Sequence, residues 1–331
     1  MNITTFTSKR FLVPGVLLLV LALLAIAPFF IGLNHIIIMT ELIMYCVLAV
    51  SWVMFSGPTG YMSLATAAFF GVGLYTSALL FPQAGRLLPL PAVIVIGGLA
   101  SFCLAFIIGA VTLRLRGIYF AIFTFGLVEL LRQFLNWFEL EVMGTRGRVV
   151  AFVDSETVYF ITLAILVAVM VTVYLIRRSR YGLALQGIGE YEEAADHMGV
   201  NTTMLKIIIF AVSAFFMGAM GAAIAPRWLY IDPTTAFNAN YTFMPVLMAI
   251  VGGMGQFYGP ILGAVGFGYL RYALITRAPY QFMLIFGITL VVFVVFLPYG
   301  LGGLIQRAQN RLGGVISKLR KGGQAEQHAN T

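Results

Sequence analysis

The composition of the sequence and the spacing of its apolar runs predict an all-α integral membrane protein with about ten transmembrane or broken helices. Of its 331 residues, 61% are hydrophobic and 10% are charged, and the mean hydropathy is +0.97. Soluble globular domains are far more polar. The apolar residues form runs of about 20, the length of a helix that crosses a bilayer core. The chain is therefore predicted to lie among membrane lipids.

Ten apolar segments are candidate spans. The third, eighth and ninth contain glycine or proline and are predicted to be broken or re-entrant, which requires protein or water to cover the freed backbone groups. The first is predicted to be an uncleaved span, because it is too long for a signal peptide and Pro28 follows its small residues. In chain order the predicted spans are 11–31, 36–55, 62–81, 91–113, 118–138, 157–176, 204–225, 241–255, 258–275 and 280–297.

The positions of Lys and Arg predict the orientation of the spans. Basic residues concentrate in cytoplasmic loops, and with a cytoplasmic N-terminus twelve of them lie inside and six outside. Both termini are therefore predicted to be cytoplasmic, with a transmembrane domain over 1–306 and a basic tail over 307–331. The inner residues are Lys9, Arg10, Arg114, Arg116, Arg177, Arg178, Arg180, Arg307, Arg311, Lys318, Arg320 and Lys321; the outer ones are Arg86, Arg146, Arg148, Arg227, Arg271 and Arg277.

The longest polar interval between spans covers residues 181–203, and we call it the elbow. It carries four carboxylates and is predicted to form one short cytoplasmic helix that ends at Gly199 as a C-cap. A simple connecting loop is one interpretation. In the other, the acidic residues and the small pair form a face that docks into a groove on a cytoplasmic partner. The residues concerned are Glu190, Glu192, Glu193, Ala194, Ala195 and Asp196.

Two charged features lie inside predicted spans, where an unpaired charge is costly. Glu129 and Arg132 are spaced i, i+3, which puts them on one helix face and within pairing distance. They are either a structural pair that faces other helices or a polar lining of a solute route. Glu41 lies nearer the outer end of its span and is predicted to reach the lipid headgroups.

A glycine-rich turn at residues 57–60 leads into the third span and continues through Ser63, Thr66 and Gly71. It favours either tight helix packing or a broken helix on the solute route. A shift of 195 residues aligns this stretch with a later one, which suggests an internal repeat of the kind found in transporters. The aligned glycines are Gly57, Gly60, Gly71 and Gly73 with Gly252, Gly255, Gly266 and Gly268.

Signatures of catalysis and of cofactor binding are missing from the sequence. It contains no phosphate-binding loop, no metalloprotease motif and no nucleophile elbow, and its three histidines lack ligand spacing. Cys46 and Cys103 fall inside spans and are predicted to be buried small hydrophobic residues. The basic residues sit at the ends of apolar runs, which excludes nucleic acid as a partner. No catalytic residue, metal site or cofactor is therefore predicted.

Motifs along nearly the whole chain resemble one family. The elbow reads ALQGIGEYEEAADHMGV, and the pattern K-x-x-x-F-x-x-S-A-F-F-x-G starts at Lys206. Together they resemble the cytoplasmic coupling loop and the following helix of the branched-chain amino acid ABC transporter permeases, in the LivM-like branch. Further stretches resemble the same family: GPTGYMSLATAAFFGVGLYTSALL, LRLRGIYFAIFTFGLVELLR, VGGMGQFYGPILGA and FLPYGLGGL.

The resemblance implies a permease subunit of an inner-membrane importer that moves a small amino-acid-like solute by alternating access. Implied partners are a second related permease, two cytoplasmic ABC ATPases and a periplasmic solute-binding protein. The ATPases would be coupled through Glu190, Glu192, Ala194, Ala195 and Gly199. The translocation path would involve Gly57, Gly60, Ser63, Thr66, Glu129 and Arg132.

The sequence departs from the family pattern at three places. Ala65 and Thr66 replace a Gly-His pair, Gln186 and Gly189 stand where two arginines are common, and residues 143–147 replace a Thr-Gly-Gly stretch. Branched-chain amino acids are the first substrate expectation, with urea, short amides and other amino acids open. There are two alternative classes of function. One is a carrier that works without an ATPase, for which Glu129 is the one candidate ion relay. The other is a membrane enzyme, which the sequence disfavours because it contains no paired catalytic groups.

Overall fold

The computed structural model describes residues 23–81, 88–115 and 117–277, with a few positions between 281 and 288. The tail over 307–331 lies outside the described residues, as do most of the predicted spans 11–31 and 280–297. The described helices are α1 (Leu33–Thr59), α2 (Thr66–Leu80), α3 (Leu90–Thr112), α4 (Ile118–Trp137), α5 (Ser155–Arg178), α6 (Arg180–His197), α7 (Thr202–Trp228), α8 (Pro233–Ala236), α9 (Asn240–Gly252) and α10 (Gly259–Arg277).

Short elements complete the described fold. A 3-10 turn (Ala27–Phe29) precedes α1, and a π-helical turn (Phe138–Met143) continues α4. Within the described residues, five helices are long and apolar enough to cross a membrane, namely α1, α3, α4 with its continuation, α5 and α7. These helices cover the predicted second, fourth, fifth, sixth and seventh spans. The all-α membrane fold is confirmed.

Helix α7 is largely buried at the centre of the bundle, because small residues let its neighbours approach closely. A Cβ atom added at Gly73 of α2 would collide with the carbonyl of Gly218 on α7, and one added at Gly218 would collide with Ser101 on α3. Helix α4 is the least buried of the five helices that are long enough to cross a membrane. Large side chains along it, among them Ile122 and Phe134, are exposed. One face of α4 therefore has no partner within the described chain.

The third predicted span is broken. Helix α1 ends at Gly60, whose φ of 71° is left-handed, and residues 60–65 stay extended before α2 begins. The freed backbone groups are covered by side chains of α4 and α9. The Leu64 amide donates to Thr124 Oγ1 at 2.9 Å and the Ala67 amide to Thr242 Oγ1 at 3.1 Å. This protein cover is what a break at membrane depth requires.

The end of the bundle opposite the elbow is joined by a two-stranded sheet. Strand β1 (Arg148–Val149) pairs antiparallel with β2 (Tyr230–Ile231), so two segments predicted to lie on the outer side touch each other. Buried Glu139 supports this end by accepting hydrogen bonds from the Gly147 amide at 2.9 Å and from the Tyr75 hydroxyl at 3.2 Å.

One burial prediction was wrong. Cys46 is buried as expected, but Cys103 on α3 is exposed. In a membrane protein an apolar position within a span faces either the core or the lipid, and the sequence pattern alone does not separate the two cases. Cys103 lies on the outward face.

The two aligned glycine stretches share a helix–break–helix shape. One joins α1 to α2, and the other joins α9 to α10. Their breaks are adjacent, since a Cβ added at Gly57 would lie 3.6 Å from the Met254 carbonyl oxygen. Helices α1 and α9 therefore end at the same side of the bundle, and the two stretches run in the same direction.

Candidate functional site

The elbow folds as helix α6, which is longer than predicted and bent. Ser179 has extended backbone angles and separates α6 from α5. Tyr191, with φ of −156° and ψ of 96°, interrupts the helical geometry and divides the elbow into two segments. Gly199 follows with φ of 85°, a left-handed conformation that glycine adopts without strain. The predicted glycine stop is therefore present, and the predicted single helix is two.

The first half of the elbow rests directly on the end of α1. A Cβ atom added at Gly189 would collide with the carbonyl of Pro58, whereas one added at Gly187 would be 3.9 Å from its nearest neighbour. Gly189 is one of the two positions where the family often has arginine. A side chain at this position would force the elbow away from α1, so the glycine accounts for the close contact.

A buried charged network joins the elbow to the bundle. The Lys206 ammonium, on the first turns of α7, donates to Glu192 Oε1 at 2.6 Å and to the Tyr61 hydroxyl at 3.1 Å. The Tyr61 hydroxyl in turn donates to Glu192 Oε2 at 2.7 Å. The ammonium also donates to the Leu113 carbonyl at 3.4 Å and lies 4.5 Å from the centre of the Tyr61 ring.

This network, which we call the Lys206 network, connects four parts of the chain. A buried charge is tolerated only when it is paired and hydrogen-bonded, so Lys206 holds Glu192 against Tyr61. Tyr61 opens the extended stretch of the broken span, and Leu113 follows the end of α3. A displacement of the second elbow segment would therefore act on the break in the third span.

The predicted coupling residues divide between two faces of the elbow. Glu190 and Gly199 are exposed, and so are the neighbouring Tyr191, Glu193 and Met198. Ala194 is half-buried. Ala195 is buried against the chain's own core, and Glu192 points into the Lys206 network. The surface available to a partner is thus acidic and aromatic, while the alanine pair lies inward or at its edge.

A cavity of about 350 Å³ opens where the elbow meets the two glycine breaks. Gly57 and Gly60 line it from the first break and Gly255 lines it from the second, with Glu190 from the elbow. Arg177 also lines it and donates to the Met254 carbonyl at 3.5 Å. Two of the predicted path residues therefore border a cavity at the elbow end.

The other predicted path residues lie elsewhere. Ser63 and Thr66 are buried in and after the extended stretch, and the Thr66 hydroxyl has no hydrogen-bond partner within the described part of the chain. Glu129 and Arg132 pair as predicted, with the Arg132 Nε 2.9 Å from Glu129 Oε2. The structure does not bring all six residues into one lining.

The Glu129–Arg132 pair is exposed on α4, with 51% and 32% of the two side chains accessible. Gln133 also donates to Glu129, at 2.8 Å. The pair forms one wall of a cleft of about 260 Å³ whose other wall includes Thr234 and Asn238. The pair therefore lies at an open cleft beside α8, and both of its predicted roles, as a structural pair and as a polar lining of a solute route, stay predictions.

Glu41, which is predicted to reach the lipid headgroups, has an ion-pair partner within the chain. It pairs with Arg271 of α10 at 2.5 Å. The two residues are 230 positions apart, so sequence spacing gave no signal for the pair. The Lys206 network was missed for the same reason, although a single lysine at the start of an apolar span was the one available hint. Among the described residues, no cluster of three or more metal-ligating side chains is present.

Comparison with known proteins places these features in a family. The LivM permease of the high-affinity branched-chain amino acid transport system of Salmonella typhimurium is 28% identical over 319 residues, 86% of this chain and 74% of the relative. Its Escherichia coli namesake is 28% identical over 331 residues, 90% of this chain and 76% of the relative. The ribose import permease protein RbsC of Haemophilus influenzae is 26% identical over 105 residues, 30% of this chain and 32% of the relative.

No solved structure matches the chain significantly. The family model described as "branched-chain amino acid transport system / permease component" matches residues 34–294, which include all of α1 except its first residue, α2 through α10, the elbow and both glycine breaks. The chain is thus a membrane permease and not an enzyme, and it belongs to the family of permease components of branched-chain amino acid transport systems.

Proposed function

We propose that the chain is the permease subunit of an inner-membrane ABC importer, with branched-chain amino acids as its first candidate substrates. Similarity over most of the chain to two permeases named for these amino acids supports the proposal. The shorter similarity to a ribose permease keeps other small solutes as competitors. Urea and short amides remain the alternatives within the same class.

The proposed assembly contains this chain, a second related permease, two cytoplasmic ABC ATPases and a periplasmic solute-binding protein. In it, residues 1–306 form the permease domain, residues 307–331 a basic cytoplasmic tail, and the elbow lies on the cytoplasmic side. The excess of basic residues in the predicted inner segments supports this orientation.

The Lys206 network is the observation that carries the mechanism. ATPases that close on ATP press against the exposed elbow surface around Glu190 and Glu193. Glu192 and Ala195, which face inward, pass the displacement through Lys206 and Tyr61 to the extended stretch of the broken span. The permease then alternates between two arrangements, and the equilibrium shifts because the ATPase states bind these arrangements with different affinity.

The exposed Glu129–Arg132 pair on α4 supports a solute path that lies at the interface with the second permease. A charge at the centre of a span costs about 2.5 to 3.5 kcal/mol on insertion scales, so Glu129 and Arg132 are unfavourable against lipid. The second permease would cover this face of α4. The cleft beside Glu129 and Arg132 would then lie between the two permeases and form part of the solute path. Gly57, Gly60, Ser63 and Thr66 would form its cytoplasmic portion.

Substitution of Ala194 by tryptophan tests the coupling role. The variant should insert into the membrane normally but lose ATP-driven uptake in proteoliposomes that contain the whole assembly, and it should bind the ATPases more weakly. Leu183→Trp is the matched control, because Leu183 is exposed on the first half of the same helix. Wild-type uptake in the Ala194 variant would refute the coupling surface. Uptake by the chain without ATPases would instead favour the carrier alternative.

A further inference from the structure

A second cavity lies at the end of the bundle opposite the elbow. Its volume of about 400 Å³ falls within the range of small-molecule sites, roughly 300 to 1,000 Å³. Glu41 stands 16 residues before Gly57 on α1, so the two cavities are about 24 Å apart along that helix. The lining residues are Glu41, Met44, Ile224, Arg227, Trp228, Tyr230, Thr235 and Tyr241.

The two charged residues of the lining, Glu41 and Arg227, differ in their partners. The Glu41 carboxylate is engaged by Arg271 at 2.5 Å. Arg227 donates to the Ile37 carbonyl at 3.4 Å, and no carboxylate of the described chain lies within ion-pair distance of its guanidinium. The nearby Asp232 is not part of the lining and accepts from the Thr235 amide as the cap of α8. Of the two charged residues in the lining, Arg227 is therefore the one without an ion-pair partner in the described part of the chain.

Aromatic rings line the cavity beside Arg227. The Trp228 and Tyr241 rings are 5.6 Å apart, and Phe70 supports them from behind at 4.9 Å from Tyr241. Arg227 and Trp228 are both partly buried. A half-buried guanidinium attracts an anion more strongly than an exposed one, because the surroundings screen it less. A guanidinium also binds a carboxylate with paired, charge-assisted hydrogen bonds.

We propose that this cavity is a solute subsite in which Arg227 binds a carboxylate and Trp228 and Tyr241 contact the apolar part of the same molecule. The inference rests on the proposed function and extends it, because it separates carboxylate-bearing solutes from urea, neutral amides and sugars. Arg227 is the residue that makes this distinction.

Binding to the full chain in lipid nanodiscs tests the subsite without ATPases or a binding protein. The probes are isobutyrate and isobutyramide, which have nearly the same shape and differ in charge, and tryptophan fluorescence reports binding. Wild-type protein should bind isobutyrate about tenfold or more tightly than isobutyramide, as expected for a charged hydrogen bond. Trp228→Phe should remove the signal, which locates the probe.

Three variants at arginine positions separate charge recognition from misfolding. Arg227→Gln should lose the preference for isobutyrate, and Arg227→Lys should keep part of it. Arg277→Gln is the matched control, since Arg277 is exposed at the end of α10 and does not line the cavity. Equal affinity of the wild type for both probes, no detectable binding, or an unchanged preference in Arg227→Gln would each overturn the subsite. ATP-driven uptake by the assembled importer is measured separately, and its failure would count against the proposed function alone.

Discussion

The two ends of the bundle hold ion pairs of nearly equal length in opposite surroundings. At the elbow end, Lys206 and Glu192 are 2.6 Å apart with 2% and 18% of their side chains exposed. At the other end, Arg271 and Glu41 are 2.5 Å apart with 26% and 44% exposed. Water screens the second pair and is largely excluded from the first. The Lys206–Glu192 pair therefore connects the elbow rigidly to the bundle, whereas the Arg271–Glu41 pair borders an accessible cavity.

Removal of the buried cation should have the largest effect. Lys206→Met leaves the Glu192 carboxylate without its charge partner, which for a buried pair costs about 3 to 5 kcal/mol. We expect a clear fall in the thermal unfolding midpoint of the purified protein and loss of ATP-driven uptake. The double variant Lys206→Met/Glu192→Gln should regain part of the stability but not the uptake. A stable Lys206→Met variant with normal uptake would contradict the role of the Lys206–Glu192 pair as a rigid connection between the elbow and the bundle.

A smaller effect is expected where the elbow rests on α1. Gly189→Ala introduces a Cβ atom that collides with the Pro58 carbonyl, and such overpacking costs about 1 to 3 kcal/mol. Uptake per ATP hydrolysed should fall, because the elbow is pushed away from the break.

Gly187→Ala is the control on the same helix, because its added Cβ atom would lie at an ordinary contact distance of 3.9 Å from its nearest neighbour. It should be neutral or stabilising by about 0.5 to 1 kcal/mol, since alanine favours helix more than glycine. If the two variants behave alike, the close contact at Gly189 has no part in coupling.

The smallest effect is expected at the exposed pair. Arg271→Gln removes one partner of a screened ion pair, a change worth about 0 to 1 kcal/mol. Its thermal midpoint should stay close to that of the wild type, and raised salt should reduce the difference further. A loss of stability as large as that of Lys206→Met would mean that the two ends do not differ in the way their exposure indicates.

The sequence predicted the features that depend on local composition. Long apolar runs placed the second to the ninth spans, and glycines placed the first break and the stop of the elbow. The eighth and ninth spans, predicted to be broken or re-entrant, are continuous helices, and the second break lies between them. What it missed depends on contacts between distant segments. Tyr61 and Lys206 are 145 positions apart, and no periodicity links them. The inward direction of Ala195 and the outward direction of Cys103 likewise depend on which neighbour packs against each helix.

The hydrogen bonds that satisfy the backbone of the broken span have a practical consequence. The Leu64 and Ala67 amides donate to hydroxyls of Thr124 and Thr242, which belong to α4 and α9. Their rates of hydrogen exchange therefore depend on where those two helices lie and not on the fraying of a helix end. Mass-spectrometric exchange over residues 60–67 would follow the transport cycle without a probe attached to the protein.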